Sequence, residues 1–139
     1  MKLFTINQLR FAVFLAIFTI MFRYGLSSLL TLHMFSEIWI IAVIYGALIF
    51  SIGWIFGKKD NESLRIYDIG FRFHLTTYLI CASITELWFL FKFNSALENI
   101  KNVHLMVIFW GIGILIHFIF FLISRRNAIS GMKKSEIFD

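Results

Sequence analysis

Four long apolar runs divide the chain, separated by short polar connections. They cover Phe11 to about His33, Ile38–Gly57, about Phe71–Phe91 and about Val103–Ser124. Each reaches the roughly 20 residues that a helix needs to cross a bilayer. Lipid offers no partner to a free backbone amide, so every run is expected to be helical. The connection His33–Glu37 leaves room only for a tight turn. The pattern predicts an all-α fold: a polytopic membrane protein with four transmembrane helices as two antiparallel hairpins, in one domain over residues 1–139.

Composition agrees. Hydrophobic residues make up 60% and charged residues 15%, with no proline, which is too apolar for a soluble domain of this length. The net charge of +5 is unevenly distributed. Lys2, Arg10, Lys58, Lys59, Arg65, Arg72, Arg125, Arg126, Lys133 and Lys134 fall on one side of the expected bundle; Lys92 and Lys101 fall on the other. The positive-inside rule then places both termini in the cytoplasm, as in a multi-pass inner (plasma) membrane protein. No basic stripe interleaves with exposed aromatics, so nucleic acid is not an expected partner; the lipid bilayer is. The basic start before an apolar run imitates a signal peptide, but lacks a small-residue cleavage site and reads as a retained first helix. Trp39, Trp54 and Trp88 lie near helix ends, where such rings anchor at the interface.

Helix two carries small residues along one face: Ala42, Gly46, Gly53 and Gly57. Such stripes let helices approach closely in lipid, so this is the expected packing face, toward another helix or a second copy.

Arg23 is the most unusual single residue, because it lies twelve residues past Phe11, near the middle of its run. A charge there costs at least ~2.5–3.5 kcal/mol, so it should face the bundle and have a partner. Ala16, Thr19 and Ser27 share its face. Glu86 is the acid inside a run, at nearly the same depth, and an Arg23–Glu86 ion pair joining helices one and three is expected. His74 and His117 fall in the half of the bundle nearer the termini, on helices expected to be antiparallel. Tyr78, Cys81 and Thr85 share the His74 face; Trp110 and Gly113 share that of His117, where Gly113 would admit close approach. Glu86 lies about 120° around from His74, toward helix one, which argues against an acid–base dyad. Two facing histidines suit hydrogen bonding across helices, a quinone or headgroup role, bis-imidazole haem ligation, or half of a metal site. His33 and His104 are expected to be solvated. There is no phosphate-cradling loop, HExxH, CxxC or nucleophile elbow, and no catalytic residue or cofactor is assigned.

The string Phe73-His74-Leu75-Thr76-Thr77-Tyr78, followed by Trp110-Gly111-Ile112-Gly113-Ile114-Leu115-Ile116-His117, resembles the bacterial two-transmembrane domain family. That family opens on F-x-H-L-x-x-Y and closes on G-W-G-I-G-L-x-x-H. The likeness covers about Phe71–Arg126. The chain departs from the pattern in lacking a late asparagine in the first family helix, near Glu86, and in carrying a hairpin in front. The resemblance implies a membrane module often joined to signalling domains, with His74, Tyr78, Trp110, Gly111, Gly113 and His117 as family positions.

These readings converge on a sensory, regulatory or partner-binding membrane module without catalytic activity, joined to a membrane protein partner or to copies of itself. The Lys58–Gly70 loop and the basic tail would be contact surfaces for anionic lipid or protein. Two other classes fit the same residues: a bis-histidine haem or quinone-linked redox carrier, and an oligomeric pore-forming effector packed through the glycine stripe.

Overall fold

The computed structural model describes residues 5–63 and 69–131, with side chains over 5–60 and 69–123. Lys2, Arg65, Lys133, Lys134 and the last stretch of the tail lie outside the described residues. Four helices account for nearly all of the described chain: α1 (Ile6–Thr31), α2 (Phe35–Ser63), α3 (Ile69–Leu90) and α4 (Ile100–Gly131). All four are long and apolar enough to span a membrane. The chain is a small four-span membrane protein.

Helices α2 and α4 overrun their apolar runs at both ends, and α1 and α3 overrun theirs at the N-terminal end, because polar caps and connections continue them. Thr5 caps α1 by accepting the Gln8 amide proton, which starts the helix ahead of Phe11. At the far end, α1 and α3 stop in the same way. His33 N–H donates to the Leu30 carbonyl and Met34 N–H to the Leu29 carbonyl. Lys92 and Phe93 repeat this on Phe89 and Trp88. Both are Schellman terminations, and both put a non-glycine residue at positive φ, 57° at His33 and 59° at Lys92.

Contacts give the packing. Asp60, Phe56 and Tyr45 of α2 meet Thr5, Phe14 and Phe22 of α1, so these two helices run antiparallel. Phe11 packs on Phe73 and Ser27 bonds Trp88, so α1 and α3 run parallel. Phe71, Tyr78 and Glu86 meet Phe121, Trp110 and His104, so α3 and α4 are antiparallel. Helix α4 touches α3 alone among the described residues, and α2 and α4 stand apart.

The core is a single stripe of α1: Gln8, Phe11, Leu15, Thr19, Arg23 and Ser27. The repeat of three or four residues is one helix face, and four of its six members are polar. Facing it are Phe73, Cys81 and Thr85 of α3. Large apolar side chains on all four helices point outward instead, as lipid contact requires.

An L residue in the left-handed region costs roughly 1–2 kcal/mol, and glycine escapes most of that. Lys92→Gly should therefore raise the thermal unfolding midpoint in detergent, and Lys92→Val should lower it.

Candidate functional site

Polar groups cross the bundle in three layers. At the end nearest the termini, the buried Asp60 of α2 accepts from the Thr5 hydroxyl and, at 2.8 Å, from Asn7 Nδ2. Gln8 Nε2 donates to Thr76 Oγ1 at 2.9 Å, tying α1 to α3. In the middle, the Thr19 hydroxyl donates to the Leu15 carbonyl at 2.7 Å. That commits its one proton, so Tyr45 donates to Thr19 Oγ1 at 2.9 Å, and the Cys81 thiol is left to donate to Tyr45 Oη at 3.3 Å. This chain links α1, α2 and α3 and holds its protons inward.

The third layer is ionic. Arg23 pairs with Glu98, and both side chains are more than nine-tenths buried. Ser27 Oγ donates to Glu98 Oε1 at 2.6 Å, and the Ser95 amide donates to the same oxygen at 2.9 Å. Trp88 Nε1 donates to Ser27 Oγ at 2.9 Å. The guanidinium carbon lies 5.6 Å from the centre of the Phe89 ring. The α3–α4 connection is thereby folded back onto the end of α1. One atom is left over: the buried Arg23 Nε has no acceptor among the described residues. An unmet buried donor on a charged group costs ~1–3 kcal/mol or more.

The expected Arg23–Glu86 pair is thus corrected. Parallel packing of α1 on α3 does set Glu86 level with Arg23, but the residue turned toward α1 at that level is the buried Thr85. One residue later, about 100° around the helix, Glu86 faces α4. It lies 3.3 Å from His104 Nε2, so His104 is not merely solvated. Glu98 went unseen because it stands in a polar connection rather than in an apolar run. A signal for it exists in Ser95-Ala96-Leu97-Glu98 just before α4, the Ser-x-x-Glu pattern whose glutamate bonds back to the serine amide.

His74 and His117 come together on the α3–α4 seam, with ring centroids 5.5 Å apart. Phe71 stacks on His117 at 5.8 Å. Two imidazoles supply half of a tetrahedral metal site, and no cluster of three or more His, Cys, Asp or Glu residues exists among the described residues. The expected shared face divides: His74 and Tyr78 turn to α4, whereas Cys81 and Thr85 turn to α1. Tyr78 packs edge-on against Trp110 at 5.6 Å and donates to the Val107 carbonyl at 3.3 Å.

The glycines also need correction. A Cβ at Gly113 would meet nothing within 4 Å, so Gly113 makes no close approach. Gly111 does: its Cβ would fall 2.9 Å from Tyr78 Oη. Along α2, a Cβ at Gly53 would lie 3.6 Å from the Phe11 ring, but Gly46 and Gly57 face open space, and Ala42 is half-buried. The stripe is not a continuous helix-packing face within the chain.

That open space is a groove of about 930 Å³ between α2 and α4, floored by α1 and α3. Gly46, Gly53 and Gly57 form part of one wall and Met106 and Trp110 part of the other. His74 lies toward one end, and Arg23, Thr85 and Asn102 toward the other.

No family model, curated protein or solved structure matches the chain. The likeness of Phe71–Arg126 to the two-transmembrane domain family rests on the quoted residues alone.

Arg23→Met should cost roughly 3–5 kcal/mol by stranding Glu98, and adding Glu98→Leu should restore most of it. Adding Glu86→Leu instead should restore nothing, as measured by denaturation in mixed micelles. Gly111→Ala should destabilise by displacing Tyr78, and Tyr78→Phe in the same chain should relieve much of that. Gly113→Ala should be neutral or stabilising by up to ~1 kcal/mol.

Proposed function

We propose that the chain is a non-catalytic membrane module of sensory or regulatory type, which receives its partner or ligand in the α2–α4 groove. The observation that supports this most is the separation of α4 from α2, which leaves a cleft of about 930 Å³ in a bundle that otherwise closes on itself. That volume lies within the range of ligand sites, which are apolar clefts with a few placed polar groups. The charge distribution supports a cytoplasmic location for both termini. In that orientation the groove opens within the membrane and α4 leads directly into the cytoplasmic tail. By resemblance to the two-transmembrane domain family, α3 and α4 are the transmitting pair.

The test fills the groove without disturbing the fold. A Cβ at Gly46 or Gly57 would meet nothing within 4 Å and would point into the groove, so Gly46→Leu and Gly57→Leu should fold normally. Extracted from its native membrane in mild detergent, the unaltered chain should retain a non-covalent companion in native mass spectrometry, and the filled variants should lose it. Equal retention by all three chains, or no companion on the unaltered one, refutes the reading.

A further inference from the structure

From the geometry of the α3–α4 seam we infer that His74 and His117 bind one zinc ion per chain, each through one ring nitrogen, with water completing the coordination. The site stands apart from the receiving role of the groove and does not rest on it.

The two imidazoles differ from the other polar side chains of the bundle in having nothing to bond to. A histidine in a span ordinarily hydrogen-bonds across helices. His104 does so in pairing with Glu86. Neither His74 nor His117 has a hydrogen-bond or ionic partner among the described residues. Two imidazoles with free ring nitrogens therefore stand side by side, one from each helix, and both are exposed.

Their spacing fits a shared ion. Zinc lies ~2.0–2.1 Å from a histidine nitrogen, and so ~3.2 Å from the ring centroid. Two rings at the tetrahedral angle then have centroids ~5.2 Å apart, at a right angle ~4.5 Å, and on opposite sides of an ion ~6.4 Å. The observed separation is 5.5 Å, closest to the tetrahedral value. The ring planes cross at 53°, so the pair is not stacked and an edge of each ring is free to face a common point.

The same geometry selects the metal. Imidazole nitrogen suits zinc, copper and nickel. Copper(II) and nickel(II) favour square-planar positions, at right angles or opposite, whereas zinc takes tetrahedral ones. Among the described residues no third His, Cys, Asp or Glu joins the pair, so two positions go to water.

The surroundings leave room for this. Phe71, packed on Phe118 and Phe121, holds the His117 ring from one side. His74 lines the end of the groove where Gly57 and Gly70 also stand, and a Cβ at either glycine would meet nothing within 4 Å. Arg72 starts about 200° around α3 from His74 and has a partner of its own, so its cation does not oppose the ion. Because α4 touches α3 alone among the described residues, an ion at this seam fastens α4 at the end that leads to the tail.

The full chain, stripped of metal in detergent, is titrated with zinc and read by native mass spectrometry. One ion should bind per chain and raise the thermal unfolding midpoint. His74→Ala and His117→Ala should each weaken binding at least about tenfold, the loss that even an outer-shell partner causes, and remove the zinc-dependent rise. His33→Ala with His104→Ala should leave both unchanged. Metal-free unfolding midpoints show that each variant folds. Cobalt(II) in place of zinc should give the intense visible bands of four-coordinate cobalt.

No saturable binding of zinc overturns the inference. So does binding that survives both His74→Ala and His117→Ala, or that is lost with His33 and His104. One ion per two chains contradicts the site within a single chain, and a six-coordinate cobalt spectrum contradicts the tetrahedral assignment.

Discussion

A guanidinium inside a membrane cannot be left alone, and the position of Arg23 on the buried face of α1 governs much of the remaining architecture. Its carboxylate comes from Glu98, which belongs to the connection between α3 and α4. To deliver that carboxylate the connection must fold back over the end of α1, where Ser27, Ser95 and Trp88 complete the hydrogen bonds. The place where Glu98 is held fixes where α4 can begin. Helix α4 then descends on α3, through Tyr78, Trp110 and the histidine pair, and does not reach α2. The groove is in this sense a consequence of an ion pair at one of its ends.

The distribution of polarity is the reverse of a soluble bundle. Four of the six buried residues on α1 are polar, while Phe50, Trp54, Phe109 and Phe120 face outward. In lipid there is little gain from hiding apolar side chains from apolar surroundings. Association falls to close packing and hydrogen bonds between helices. The three polar layers supply the bonds: the first and second each link α1 to α2 and α3, and the third links α1 to α3 and the α3–α4 connection. Close packing is concentrated where α1 meets its neighbours, at Phe11 with Phe73 and Gly53, and at Phe22 with Tyr45.

The sequence makes the four helices plain, because a membrane forces one structure on any sufficiently long apolar run. It also makes the buried status of Arg23 and the meeting of His74 with His117 legible, since both follow from helical spacing and depth. Depth alone did not suffice for Glu86. It stands level with Arg23, but facing differs by about 100° from one residue to the next, and no pattern in so uniformly apolar a helix indicates which side meets α1. Thr85, its neighbour, takes that side. Glu98 is hard to read for the opposite reason: it stands in a polar connection, where a carboxylate ordinarily meets water. The glycines were ambiguous for a physical reason. A missing side chain admits either a neighbouring helix or nothing, and only the position of α4 decides that Gly53 packs while Gly46 and Gly57 stay open.

If the Arg23–Glu98 anchor sets the start of α4, the connection it holds must be as protected as the helices it joins. Amide and indole hydrogen exchange in lipid nanodiscs measures this at the two protons that complete the anchor, the Ser95 N–H and the Trp88 Nε1–H. The account predicts exchange at both as slow as in the interior of α1. Exchange at the rate of an open loop at either proton would contradict it.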